Sequence, residues 1–197
     1  DVLKGTDVHS YTASIIGCSR QDAKAHTFKP LYGGVSGTPA QQAYYTAFKE
    51  KYEKVADWHK ELEKEAVKTK EIKLPSGRTY AFPDAKWTEW GAATNRTAIC
   101  NYPVQGFATA DLLPIALVKL DKVMRELEMK SVICNTVHDS IVLDVHPDEK
   151  DQCVKVLSEA MLSISDGSKA RYGLEYDMPI GIELKIGNNW LDLTEIK

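Results

Sequence analysis

Apolar positions along the chain repeat either every three to four residues or every two, which divides it into helices and hairpins in alternation. Near the N-terminus a short helix is expected, which Thr6 can cap and Gly17 can close. A second starts at Arg20, because Ser19 stands three residues before Asp22 in a capping-box pattern. Pro30 near its end removes a hydrogen bond and crowds the carbonyl of His26, so a kink is expected there. Beyond the break from Gly33 to Pro39, the spacing predicts one long helix from Pro39 to about Lys70. Its apolar stripe is Tyr45, Phe48, Tyr52, Val55, His59 and Leu62, and its Lys/Glu-rich remainder reads as a solvated face.

The segment KLPSGRTYAFP predicts a hairpin around Ser76-Gly77. Trp87 and Trp90 then flank a polar stretch. Pro103 suits the first position of a helix running to about Met129, with Leu112, Ile115, Ala116, Leu120, Val123 and Leu127 inward and a bend at Pro114. Val132 to Val145, VICNTVHDSIVLDV, sets two β-branched runs around His138-Asp139-Ser140, a hairpin with a three-residue polar tip. A helix from Pro147 to Ser165 follows, with Val154, Leu157, Met161 and Ile164 inward. A strand from Met178 to Ile186 and a tail with Asn188, Asn189 and Trp190 end the chain. Helices mixed with antiparallel strands make the class α+β.

Composition changes this picture little. At 197 residues the chain can be one large domain or two small ones, and 43% hydrophobic with 27% charged residues is ordinary for a globular protein. A net charge of −3 and a pI of about 6 do not announce a nucleic-acid binder. Charge is uneven, though: basic residues prevail from Arg20 to Arg78 and acidic ones from Asp139 to Glu195. That suits phosphates in one half and a metal in the other, and ordinary surface variation explains it equally. Cys18, Cys100, Cys134 and Cys153 have neither CxxC nor zinc spacing, so they read as buried free thiols of a reducing compartment. Without a signal-like segment or a run of 18 apolar residues, a cytoplasmic location is expected.

Three stretches carry candidate chemistry. Arg20, Lys24, Phe28 and Tyr32 recur every four residues, so neighbouring members share a helix face. Two cations followed by two aromatics suit a nucleoside triphosphate, with cations for phosphates and rings for base and sugar; an amphipathic helix with solvated basic residues is the plain alternative. Arg96, Asn101 and Gln105 surround a helix entrance, where Asn and Gln are either caps or readers of base edges in a minor groove. Asp139 at a hairpin tip is either a turn residue or a ligand for a divalent cation such as Mg²⁺, which takes hard oxygen donors. His9, alone in a first helical turn, has no role by itself.

In order, the blocks R-x3-K-x3-F-x3-YG, R-x4-N-x-P-x-QG-x-A and VHDS within apolar strands resemble the family A, polymerase-I-like DNA polymerases, and the resemblance runs from Asp7 to the final NNW. It implies a right-hand architecture, with a fingers subdomain over residues 1–75 and the C-terminal part of the palm, an antiparallel sheet with packed helices, over 76–197. It implies template-directed addition of dNTPs to a primer 3′-OH by two-metal phosphoryl transfer with Mg²⁺, with primer-template DNA and dNTPs as partners. His9, Arg20 and Lys24 match triphosphate-binding residues, Phe28 the residue at the nucleotide sugar, and Tyr32 the ring beside the nascent pair. Arg96, Asn101 and Gln105 match residues along the primer-template minor groove. Asp139 matches one of two metal-binding aspartates, and His138 its neighbour near the primer terminus. Asp139, Lys24 and His138 are thus the expected catalytic set.

Several positions depart from the family. Ser140 stands where Glu usually follows His-Asp, Lys29-Pro30 follow Phe28 in place of Gly, and the segment after Gly34 is shorter than in bacterial relatives; these features look phage- or virus-like. Nothing matches the block that bears the family's other metal aspartate. Two-metal chemistry needs both carboxylates, so an upstream polymerase segment is expected as a further partner, in the same polypeptide or as another chain. Two rivals stand beside this reading. A single-subunit RNA polymerase shares the architecture and often has His-Asp-Ser, but Phe28 and NYPVQG favour the DNA enzyme. A non-catalytic DNA-binding remnant would not need Arg20, Lys24, Tyr32 and Asp139 together.

Overall fold

A computed structural model of the chain describes residues 7–34 and 36–196. They form two compact units, one up to Gly106 and the other from Phe107 onward, and the class is α+β.

The first unit opens with α1 (Val8–Ile16). Its cap is Asp7, whose carboxylate accepts the backbone N–H of His9 at 3.1 Å and of Ser10 at 3.2 Å; the expected cap Thr6 lies outside the described residues. Gly17, at φ +77°, closes the helix in the left-handed region that Gly adopts freely. In α2 (Arg20–Leu31), Ser19 caps by accepting the Asp22 N–H at 3.1 Å. Pro30 lies buried in the last turn, and α2 ends one residue later. The single long helix expected from Pro39 to Lys70 is in fact two, α3 (Pro39–Lys51) and α4 (Glu53–Thr69). Tyr52 separates them at φ −117°, ψ 57°, outside the helical basin. Tyr52 packs with Ile16 and Leu31 against the buried Tyr44, Tyr45 and Phe48, and that tertiary cluster accounts for the break, because neither Gly nor Pro marks it.

The strands β1 (Glu71–Lys73) and β2 (Thr79–Ala81) form the expected hairpin. Helical structure resumes as α5 (Arg96–Asn101), ahead of the expected start at Pro103, which instead stands in a π-helical segment, Tyr102–Gly106. A π segment tolerates proline because the regular i→i−4 bond that proline would break is already absent.

The second unit continues with another π segment, Ala108–Leu112, and α6 (Leu113–Glu126), with Pro114 in its first turn. The buried residues of α6 are Leu113, Ala116, Leu120 and Met124; Leu127, expected inward, is exposed. The hairpin β3 (Val132–Val137) and β4 (Ser140–Asp144) packs Ile133, Ile141 and Leu143 against Leu120, Met124, Val156 and Ala160. A short 3₁₀ turn, Pro147–Glu149, leads into α7 (Lys150–Leu162) and α8 (Ile164–Tyr172), where one helix to Ser165 was expected. The buried residues of α7 are Cys153, Val156 and Ala160; of the residues expected inward, Leu157 packs against this core and Ile164 is buried, whereas Val154 and Met161 are only half-buried.

The C-terminal strand is confined to β5 (Leu184–Ile186) and pairs with β6 (Thr194–Ile196), so the tail Asn188-Asn189-Trp190 lies in the turn between them. The described strands therefore make three separate two-stranded sheets, and no palm sheet joins β5 to the β3–β4 hairpin among the described residues. Cys100 and Cys153 are buried, Cys18 is half-buried and Cys134 is exposed; all four are free thiols. No helix among the described residues is long and apolar enough to cross a membrane.

Candidate functional site

On α2, helical spacing sets out Arg20, Lys24 and Phe28, with Tyr32 just past the last turn. Arg20 is exposed and grips the Asp7 carboxylate twice, Nε donating to Oδ2 at 2.7 Å and Nη2 to Oδ1 at 3.4 Å. This guanidinium holds Asp7 well below the usual carboxylate range, and Asp7 in turn raises Arg20 above its ordinary value. Lys24 is half-buried and has no ion pair among the described residues. Phe28, 44% exposed, stacks on Tyr32 with centroids 6.5 Å apart, and the His9 ring meets Phe28 edge-on at 5.4 Å. The five residues expected at a nucleotide are thus all carried by α1, α2 and the residue that follows α2.

Beside the aromatic end of this face is an open cavity of about 440 Å³, lined by Phe28, Lys29, Tyr32, Gly34, Arg96 and Thr97 among others. Gly33, also in its wall, has φ +76°, and a Cβ there would come within 3.1 Å of Cys100 Sγ and 3.2 Å of Arg96 Nε, so only Gly fits without displacement.

Arg96 is anchored by a residue that sequence reasoning left among the structural ones. Glu63 of α4 is buried; one carboxylate oxygen lies 3.0 Å from Arg96 Nε, and the other accepts the Ala93 N–H at 2.7 Å. The Arg96 contact is an ion pair without hydrogen-bond alignment. The signal was present: Glu63 falls on the stripe of His59, Leu62 and Ala66, where a carboxylate requires a partner. Burial pushes the Cys100 thiol up to about 11, and lowers His59 and Lys49 below their ordinary values. Across the junction with the π segment, Asn101 Nδ2 donates to Gln105 Oε1 at 3.0 Å.

The second unit carries His138 and Asp139. Val137 pairs with Ser140, so the turn has two residues and not three, and Ser140 opens β4. His138 is at φ +53°, the sign that primed hairpin turns require and that Gly or Asn usually supplies. A register shift between Ile133 and Asn135 bulges β3 at Cys134. At the base of the hairpin, Glu149 accepts the Lys130 N–H at 2.8 Å and the Ser131 hydroxyl at 2.6 Å. These bonds, with the Ser131 N–H, lower its pKa to about 2. The tip is exposed, and no hydrogen bond or ion pair engages the Asp139 carboxylate among the described residues, so its oxygens are open to a cation. Asp139 has no companions: no group of three His, Cys, Asp or Glu side chains that could hold a metal ion occurs among the described residues.

Similarity to known proteins runs through both units. DNA polymerase I of Lactococcus lactis subsp. lactis is 28% identical over 210 residues, covering 95% of this chain and 23% of that protein. The DNA polymerase of Bacillus phage SP01 is 31% identical over 147 residues, covering 74% of this chain and 16% of its own length. The chain thus spans a minor part of the curated relatives it matches. In fold, it resembles the POL domain of Pol1 from M. smegmatis, solved in complex with DNA primer-template and dNTP, with a TM-score of 0.65 and 23% identity over 82% of this chain and 32% of that one. Residues 2–192, which include the cationic and aromatic face of α2, the Arg96–Gln105 segment and the His138-Asp139 hairpin, match one family throughout: the chain belongs to DNA polymerase family A.

Proposed function

We propose that this chain is the fingers and C-terminal palm portion of a template-directed DNA polymerase that adds dNTPs to a primer 3′-OH. Residues 1–75 form the fingers and 76–197 the palm part. The observation that carries the reading is the α2 face, where Arg20 and Lys24 precede the Phe28–Tyr32 stack by single helical turns. Phosphates bind at Arg20, Lys24 and His9 through charge-assisted contacts. The sugar lies at Phe28, and the nascent pair stacks at Tyr32. Arg96, Asn101, Gln105 and His138 follow the primer-template, with His138 nearest the primer terminus.

Asp139 is the metal carboxylate. A bare, solvent-facing carboxylate on a packed hairpin fits Mg²⁺, which keeps several waters and shares the remaining positions with phosphates. Bound there, Mg²⁺ supplies charge neutralisation for the transferring phosphoryl group. One carboxylate does not complete a two-metal site, and the chain spans 23% of its Lactococcus relative, so a second carboxylate comes from the rest of the polymerase.

Primer extension tests the reading. A polymerase containing these residues should incorporate dNTPs only with Mg²⁺, and Asp139→Asn should abolish incorporation while leaving primer-template binding in place. The 197-residue chain alone should not extend a primer. Steady extension by that chain, or full activity of Asp139→Asn, would overturn the assignment.

A further inference from the structure

Behind His9 runs a line of buried hydroxyls that the nucleotide reading does not use. Thr27 of α2 and Thr12 of α1 are 5% and 0% exposed, and Tyr44 of α3 is 7% exposed. Thr27 Oγ1 lies 3.2 Å from His9 Nδ1, 2.9 Å from Thr12 Oγ1 and 2.9 Å from the Ala23 carbonyl. Thr12 Oγ1 donates to the Val8 carbonyl at 2.8 Å and meets the Tyr44 hydroxyl at 2.8 Å. Three helices of one unit therefore meet on a single polar thread, and its outer end is the His9 ring that also abuts Phe28.

The hydroxyl bonds along the thread point to one direction. Thr27 has one hydroxyl hydrogen and two buried oxygens within reach, the Ala23 carbonyl and Thr12 Oγ1. The carbonyl can only accept, and the hydrogen of Thr12 is directed to Val8. With both threonine hydroxyls bonded to the carbonyl one turn back, the Thr27 proton points inward, which leaves a lone pair toward His9. Only an Nδ1–H can satisfy that lone pair, and a neutral imidazole with Nδ1–H has its Nε2 unprotonated and outward.

We propose that Thr27 is a positioning residue: it holds His9 with Nδ1 as donor, so that Nε2 is the nitrogen presented to the nucleotide's phosphates. Protonation of the ring then adds a hydrogen at Nε2, pointing at the anion, without any rotation. The proposal rests on the reading of His9 as a phosphate contact, and the thread itself is independent of it.

The test uses the whole polymerase that contains this chain, with Thr27→Val, Thr27→Ser, His9→Ala and the pair His9→Ala/Thr27→Val. Thr27→Val keeps the shape of the side chain and deletes the acceptor. It should raise KM for dNTP about tenfold, the worth of one hydrogen bond to a charged group. Thr27→Ser should stay at the wild-type value, and Thr27→Val should add nothing once His9 is Ala. An equal effect of Thr27→Val in both backgrounds would reveal a packing role and overturn the proposal. So would a neutral Thr27→Val beside a harmful His9→Ala.

A neutral His9→Ala would instead remove the phosphate reading, and with it the claim about Nε2. The ring's tautomer is measured separately, by ¹⁵N NMR of histidine-labelled wild-type protein, and needs no variant to fold. A neutral His9 with its proton on Nδ1 supports the thread, and a proton on Nε2 overturns it.

Discussion

The α2 face and the β3–β4 tip both present charged groups to solvent, and what stands behind them differs. Behind α2, the support is polar and specific. Thr27, Thr12 and Tyr44 hold His9, Asp7 holds Arg20, and the buried Glu63 holds Arg96 in the cavity wall beside Tyr32. Behind the tip, the support is apolar. Ile133, Ile141 and Leu143 rest on Leu120, Met124, Val156 and Ala160; the carboxylate restraint is at the base, through Glu149, and at the tip Ser140 Oγ donates to the Val137 carbonyl at 2.8 Å. Polar support fixes a direction and fails sharply when one partner is lost, whereas apolar support fixes a position and yields gradually. If the α2 face aims five side chains at one nucleotide, as proposed, it is better served by the first. A single carboxylate at the proposed metal position needs only the second.

The comparison can be broken hardest at Glu63. Glu63→Ala leaves the Arg96 guanidinium partly buried without its carboxylate and should cost about 3–5 kcal/mol in unfolding free energy. Replacing both members of the pair by Leu should recover most of that stability. If Arg96 itself contacts the primer-template, the double variant should remain poor in primer-template binding despite folding well. A denaturation curve for Glu63→Ala that overlays the wild type would show that the first unit does not depend on its buried charge.

Next in size is Lys24, the cation of the α2 face that has no ion pair among the described residues. Lys24→Ala should lower kcat/KM for dNTP by about 100-fold, as expected when a charge-assisted contact is lost in a closing site. Arg20→Ala should differ in kind, because it also frees Asp7, a carboxylate three side-chain and backbone bonds deep in the α1 cap. Equal kcat/KM for wild type and Lys24→Ala would mean that the face carries no phosphate.

A smaller effect is expected at Phe28. Its ring is exposed between His9 and Tyr32; under the proposed reading, in which the sugar lies at Phe28, Phe28→Tyr adds a hydroxyl where the nucleotide's 3′-OH would lie. Acceptance of dideoxynucleotides should improve about tenfold, the scale of one hydrogen bond. Chain termination at matched ddNTP:dNTP ratios measures it, and identical termination patterns would reduce Phe28 to packing.

What could be read in advance from the chain was whatever depends on near neighbours. Ser19 with Asp22, Gly17, Ser76-Gly77 and the apolar runs around His138-Asp139 each specify local backbone, and α1, α2 and two hairpins follow from them. The break at Tyr52 depends on an aromatic cluster assembled from three helices, and no residue beside it signals a stop. The core face of α7 was read only in part, with Leu157 and Ile164 inward as expected and Cys153, Val156 and Ala160 missed. Large apolar residues attract the eye, but Cys153 and Ala160 are the ones fully inside, because small side chains let helices approach closely. The four-residue register of α2 showed which residues share a face. The partners that hold them, Thr27 for His9 and Glu63 for Arg96, lay outside it, because those contacts join residues far apart in sequence.

The smallest expected effect tests the carboxylate that ties the base of the β3–β4 hairpin. Glu149 accepts three hydrogen bonds from Lys130 and Ser131, which lowers its pKa from the ordinary 4.5 to about 2 in the folded chain. A carboxyl depressed on folding contributes stability wherever the unfolded chain binds the proton more readily. That contribution is complete above pH 4.5 and is lost as the pH falls toward 2. Glu149→Gln retains one acceptor oxygen but cannot ionise, so it should be slightly less stable than wild type near neutral pH. The gap should narrow through this acid window, and the two unfolding curves should converge near its lower end. Since Glu149 is solvent-accessible, salt should shrink the gap as well. Melting temperatures of the two proteins from pH 6 down to 2 decide it. Parallel curves across that range would mean that the hairpin is held by its apolar face alone, and the contrast between the two units would then be complete.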